Sequence, residues 1–173
     1  MPSFTSRACA LFWSQERAMS KRVVNEFPDA SPCSATAMRK ASRRLTQLYD
    51  TALESSGLRS TQYAILSELE RRAKEPPTMR ELADALAMDR SALGHNLRPL
   101  ERDGLIALEE GDDRRRRHVV LTPVGKAKQR ECKRLWHLAQ ERFHEVYGDG
   151  EAAALRNTLL SIAHDDRLKA LRD

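Results

Sequence analysis

The sequence predicts an all-α fold with one small β-hairpin, and three observations point to it. Apolar residues recur at three- and four-residue steps over most of the stretch from residue 36 to residue 171, the period of amphipathic helices. Two short runs, Leu105-Ile106-Ala107-Leu108 and His118-Val119-Val120-Leu121, break that period around a nine-residue polar tip containing Gly111, the pattern of a hairpin. Aromatic residues make up only 5 % of the chain, and seven Gly with seven Pro are too few for a many-turned β protein.

A length of 173 residues sets a prior of about one domain, and 40 % apolar residues suffice to fill a core. Thirty Lys and Arg against twenty-five Asp and Glu leave a net charge of +5, a modest excess that matters only where it is gathered. No apolar run approaches the roughly 18 residues that a membrane span needs, so no membrane partner is expected. The run at residues 8–13 is short and lacks a small-residue cleavage site, which argues against a signal peptide. Cys9, Cys33 and Cys132 are odd in number and unevenly spaced. They form neither a disulfide framework nor a zinc site, and a reducing cytoplasm fits them best.

Residues 1–31 read as a poorly ordered arm, with no sustained period and with Pro28, Ser31 and Pro32 at its end; Met1 and Met19 both serve as a possible start. From about Thr36, the residues Met38, Ala41, Leu45, Leu48, Ala52 and Leu53 make one helical stripe, closed by Gly57. A second helix from Ser60–Thr61 carries Tyr63, Ile65, Leu66 and Leu69, and Pro76-Pro77 breaks the chain after it. Thr78-Met79-Arg80-Glu81 is a capping box opening a third helix through Leu86. After the tight turn Ala87-Met88-Asp89, Asp89 or Ser91 caps a fourth helix that runs to about Asp103, with Leu93, Leu97 and Leu100 inward and Gly104 as its stop. Beyond the hairpin, Thr122-Pro123 is an N-cap followed by a first-turn proline. The helix it opens lasts some 25 residues to the break at Gly148-Asp149-Gly150, and a last helix spans residues 151–171.

Two short helices joined by a three-residue turn, then a hairpin with a basic tip, compose a winged helix-turn-helix, placed at residues 61–122 within a domain of residues 32–173. The second helix of such a pair enters the major groove and presents its N-terminal residues to base edges, while its partner braces it, here through Leu82, Ala85 and Leu86. The outward residues of the fourth helix are Arg90, Ser91, Gly94, His95 and Arg98. Gly94 permits close backbone approach, and Arg90 and Arg98 reach phosphates or guanine edges. In the wing tip, Arg114, Arg115, Arg116 and Arg117 concentrate positive charge suited to a narrow minor groove. Asp113, two residues before Arg115, is placed to hold and aim that guanidinium.

The stretch from Thr36 to the C-terminus resembles the MarR family of bacterial regulators. Thr78-Met79-Arg80-Glu81-Leu82-Ala83, then Asp89-Arg90-Ser91 leading to Leu100-Glu101-Arg102-Asp103-Gly104-Leu105-Ile106, carry the resemblance. The D-x-R-x-R wing signature falls on Asp113, Arg115 and Arg117, and Leu121-Thr122-Pro123-x-Gly125 closes the wing. The resemblance implies a bacterial cytoplasmic repressor, associated with the nucleoid when bound to DNA. It further implies a homodimer knitted by residues 34–56 and 123–172 that binds a pseudo-palindromic double-stranded operator and is released by a small phenolic or aromatic effector, or by cysteine oxidation. Tyr49, Tyr63 and Trp136 are the candidate effector residues. Cys33, just before the first helix, is the candidate redox residue; aligning Tyr49 with the late first-helix tyrosine of the peroxide-sensing branch puts that branch's cysteine at Ala35.

No metal or other cofactor is expected. His137 and His144 lie two helical turns apart, too far to share an ion comfortably, and His164, Asp165 and Asp166 add no ligand spacing. GxGxxG, GxxxxGK[ST] and HExxH are all missing from the sequence, so the reading is a regulator and not an enzyme. A winged helix used only for protein contacts is the remaining alternative, and it would not require four arginines on the wing.

Overall fold

The computed structural model describes residues 32–110 and 117–168. The chain divides after Arg43. In the first unit, residues 32–43 open helix α1 (Ser34–Leu53), whose first turn is closed by the Ala37 N–H on the Cys33 carbonyl at 3.1 Å. The helix thus begins two residues before Thr36. The second unit holds the rest of α1, a 3-10 turn (Glu54–Ser56), α2 (Ser60–Arg71), α3 (Met79–Ala85), α4 (Arg90–Arg102), strands β1 (Ile106–Glu110) and β2 (Arg117–Leu121), α5 (Pro123–Tyr147) and α6 (Asp149–Ala163).

Local chemistry sets the element ends. Thr78 accepts the Glu81 N–H while the Glu81 carboxylate takes the Thr78 N–H at 2.8 Å, so the capping box forms. Asp89 accepts the Ala92 N–H at 2.7 Å at the start of α4, and Thr122 accepts the Gly125 N–H at 3.0 Å ahead of Pro123. Each cap satisfies an N–H that its helix leaves open. At the other ends, Gly57 and Gly104 take left-handed φ of 74° and 68°. The turn between α3 and α4 uses the same device without glycine: Ala87 has φ 49°, and the Met88 N–H reaches back to the Ala83 carbonyl at 2.9 Å.

The core of the second unit is one cluster in which Leu53, Ile65, Leu66, Leu82, Leu93, Leu100, Val119 and Cys132 are fully buried. α3 contributes Leu82 and Ala83, with Leu86 half-buried; Ala85, read as a bracing residue, faces solvent. At about 100° per residue, Leu82, Leu86 and Ala83 span one arc that faces the core, and Ala85 falls on the other side of Leu82, roughly 110° from the middle of that arc.

Two other elements differ from the sequence reading. The hairpin is longer: β1 and β2 pair antiparallel from Ile106↔Leu121 to Glu110↔Arg117, so the backbone ladder continues past its apolar part, with residues of opposite charge opposite one another at its last described pair. The last helix opens at Asp149, directly after Gly148 at φ 81°, and stops at Ala163. Asp165 then accepts the Arg167 N–H at 3.0 Å, a local bond that competes with helix continuation, and a 3-10 turn (Asp166–Leu168) follows.

Candidate nucleic-acid interface

α4 is two-faced. Leu93, Leu97 and Leu100 are buried, while Arg90, Ser91, His95 and Arg98 are exposed on the other side and Gly94 is half-buried between them. No atom lies within 4 Å of where a Gly94 side chain would stand, so its openness faces outward. Asn96 is the exception among the polar residues, since its amide bonds back to the Ala92 carbonyl at 2.8 Å. α4 continues through Pro99, whose carbonyl accepts the Asp103 N–H at 2.9 Å. The exposed set offers two guanidiniums, a hydroxyl and an imidazole on a helix already fixed by its opposite face, the arrangement that groove reading requires.

Of the wing residues, Arg117 begins β2 and is exposed; Asp113, Arg114, Arg115 and Arg116 lie outside the described residues. Toward the tip end of β2 lies a contact that sequence reasoning missed. The Val119 N–H bonds to the Pro77 carbonyl at 2.9 Å, His118 Nδ1 lies 2.7 Å from the Pro76 carbonyl, and Thr78 and His118 form a bridge. The segment that ended α2 by its prolines therefore also lines the outer edge of β2. At the far end of the hairpin, the Thr122 hydroxyl donates to the Gly104 carbonyl at 2.7 Å and Gly125 packs against Leu105.

The aromatic residues singled out in the sequence meet around Trp136. Its ring centroid is 6.3 Å from that of Tyr49 and 6.4 Å from that of Tyr63. Tyr49 and Trp136 line an open cavity of about 350 Å³ together with Leu45, Gln140, Phe143, Ala152 and other residues of α6. Tyr63 is 7 % exposed and belongs to the core. Burial pushes the hydroxyls of both tyrosines above their ordinary range. The cavity walls from α5 and α6, including Gln140, Phe143, Leu155 and Arg156, went unnoticed in the sequence because the same spacing marks any helix-packing face. Behind the wall, Tyr49 donates to Gln140 Oε1, Gln140 Nε2 lies 3.3 Å from His144 Nε2, and His144 Nδ1 lies 2.5 Å from Asp149 Oδ1.

Cys33 is exposed, and its thiol is lowered from the ordinary range by the Thr36 hydroxyl first, then by the Thr36 and Ala35 backbone. Cys132 is buried, and desolvation raises its thiol. Among the described residues no group of three or more His, Cys, Asp or Glu is placed to hold a metal ion, and no helix is long and apolar enough to cross a membrane.

A MarR family model matches residues 56–117. Among curated proteins, none matches the sequence. The structure is similar to that of the M. tuberculosis transcriptional regulator MosR, at 31 % identity and a TM-score of 0.66, covering 77 % of this chain and 96 % of that one. The same regulator in complex with DNA gives a TM-score of 0.69 over 80 % of this chain and 99 % of that one. CouR from Rhodococcus jostii RHA1, bound to p-coumaroyl-CoA, shares the fold at 23 % identity, a TM-score of 0.69, and 83 % and 99 % coverage. With the capped helix pair, the hairpin wing and these likenesses together, the chain belongs to the MarR family of DNA-binding transcriptional regulators.

Proposed function

We propose that the protein is a homodimeric repressor that binds a pseudo-palindromic operator and leaves it when a small aromatic or phenolic molecule fills the cavity beside Trp136. The observation that carries the reading is the division of α4, core on one face and Arg90, Ser91, His95 and Arg98 open on the other. Ser91, His95 and Arg98 serve as the groove residues, Arg90 takes the backbone, and Arg114, Arg115, Arg116 and Arg117 enter the adjacent minor groove with Asp113 aiming Arg115. Apolar side chains left open on α5 and α6, among them Leu138 at 59 % and Leu160 at 50 % exposed, support a second copy as their cover.

Selection of bound duplexes from a random-sequence pool tests this directly. The recovered motif should be two-fold symmetric, with half-sites about 10 base pairs apart, and binding should fall steeply with salt, each neutralised phosphate adding about −0.9 to the slope. Arg115→Ala should bind several-fold more weakly while remaining dimeric. Recovery of no motif, or of an asymmetric one, would sink the reading. For release, phenols and aromatic acids are screened against the bound operator; Leu159→Trp, which fills the cavity, should keep DNA binding and lose the response.

A second reading has its own support in the lowered thiol of exposed Cys33. The thiolate sulfur would attack the terminal oxygen of a hydroperoxide, taking up that oxygen as a sulfenic acid and releasing an alcohol. Operator release by organic hydroperoxide from the parent, and not from Cys33→Ser, would favour this route over the cavity.

A further inference from the structure

We propose that His118 is a positioning residue for DNA binding: its imidazole clasps β2 to the segment that opens the helix-turn-helix, and so holds the strand that begins with Arg117 in register with α4. The inference rests on the reading that wing and α4 meet one duplex. Its starting point is the pair of prolines at 76 and 77. Neither has an N–H, so this segment can only accept hydrogen bonds along its edge. The Pro77 carbonyl is satisfied by the Val119 N–H at 2.9 Å. Successive N–H groups of a strand point to opposite edges, and the two neighbours of Val119 are paired with β1, His118 opposite Glu109 and Val120 opposite Ala107. The backbone donors on either side of Val119 are therefore turned toward β1 and away from the Pro76 carbonyl.

The His118 side chain supplies one. Its Nδ1 lies 2.7 Å from the Pro76 oxygen, and a carbonyl only accepts, so this ring nitrogen carries the proton and donates. The ring is half-buried, which shelters the bond from competing water. On one side of the clasp, Arg117 directly precedes His118. On the other, Thr78 caps α3 with Glu81, and α3 packs on α4. With the clasp, the wing is held to the helix-turn-helix at two successive carbonyls. Without it, β2 keeps its pairing with β1, the Val119 bond and the buried Val119 side chain, but the strand on the tip side of Val119 loses its side-chain tie to that segment, and DNA binding must then pay to order it.

The test uses the duplex that the parent protein selects from a random pool of about 25 base pairs, long enough for two half-sites. Affinity, melting temperature and oligomeric state are measured for the parent and for His118→Ala, His118→Asn and His118→Gln. The Asn amide nitrogen sits two bonds beyond Cβ, as Nδ1 does; the Gln amide nitrogen sits one bond further, where the far ring nitrogen lies. His118→Ala and His118→Gln should bind up to about tenfold more weakly, the size of one lost sheltered hydrogen bond. His118→Asn should stay within about twofold of the parent, the melting temperature of His118→Ala and His118→Gln should fall by no more than a few degrees, and the oligomeric state should be unchanged. If His118→Ala does not fold, the contrast between Asn and Gln decides alone. Rescue by Gln and not by Asn would show the far nitrogen touching the duplex and overturn the clasp, as would His118→Ala binding like the parent. Arg115→Ala adds a second check: a misplaced wing has less to lose, so its effect should shrink in the His118→Ala background. A parent that selects no duplex removes the DNA reading first, and the inference with it.

Discussion

Gly125 is the residue whose identity the packing constrains most tightly. A Cβ placed there would stand 1.8 Å from the Leu105 carbonyl oxygen and 2.8 Å from its carbonyl carbon; both are backbone and cannot step aside as a flexible side chain would. Gly125→Ala should therefore destabilise the protein by about 2–3 kcal/mol, measured by urea unfolding, and a loss under 0.5 kcal/mol would show that the first turn of α5 can lift away from the wing. Ala87 has the opposite problem, a Cβ in the left-handed region at φ 49°. Ala87→Gly should stabilise by about 0.5–1 kcal/mol, the strain relieved less the added freedom of the unfolded chain. At this scale the sequence is legible where a residue acts on its near neighbours. Thr78, Asp89 and Thr122 cap the helices that their spacing assigns to them. The His118 contact spans 42 residues of sequence, and no local pattern announces such a partner.

Among the elements, α3 shows how a short helix survives. Seven residues make a helix too brief to stand alone, and it depends on its capping box and on Leu82 in the core. The Thr78 N–H and hydroxyl, both bonded to the Glu81 carboxylate, hold that carboxyl below its ordinary range. A carboxyl lowered in the folded state adds stability that is fully present above its unfolded pKa and is lost as pH falls through the folded value. Unfolding midpoints of the parent should therefore drop between about pH 5 and pH 3 more steeply than those of Glu81→Gln, whose amide keeps a neutral capping contact throughout. Parallel acid limbs for the two proteins would show that Glu81 contributes nothing through its charge. The same scale explains which boundaries the sequence conceals. The starts of α3, α4 and α5 follow from caps within four residues, but the extent of β1 and β2 is a matter of backbone pairing that runs on to Glu110 opposite Arg117. The early stop of α6 depends on Asp165 turning onto the Arg167 backbone; the apolar residues that continue the period past Ala163 give no sign of it.

For the whole molecule, the decisive quantity is how much apolar surface one protomer leaves open. Val124, Leu138, Val146, Tyr147, Leu160 and Leu168 are each at least half exposed, and four of the six lie on α5. Helix pattern alone makes such residues visible as apolar, but only the packed chain shows which of them its own core leaves uncovered, so the surface proposed for a second copy could not be separated from the core in the sequence. Val146 and Leu168, 61 % and 66 % exposed, serve as probes at the C-terminal end of α5 and beyond α6. Glutamate at either costs the isolated protomer little, because neither side chain is taken from a filled core. In a dimer that covers them, two copies of each charge would be buried without partners, a penalty of several kcal/mol. The double variant Val146→Glu/Leu168→Glu should therefore keep a parental helical spectrum and sediment as a monomer at micromolar concentration, where the parent sediments as a dimer. Its operator affinity should fall by at least about a hundredfold, because two half-sites are no longer held by one linked pair of recognition helices. A double variant that stays dimeric and binds as the parent does would place the interface elsewhere on the chain and leave these side chains as plain surface.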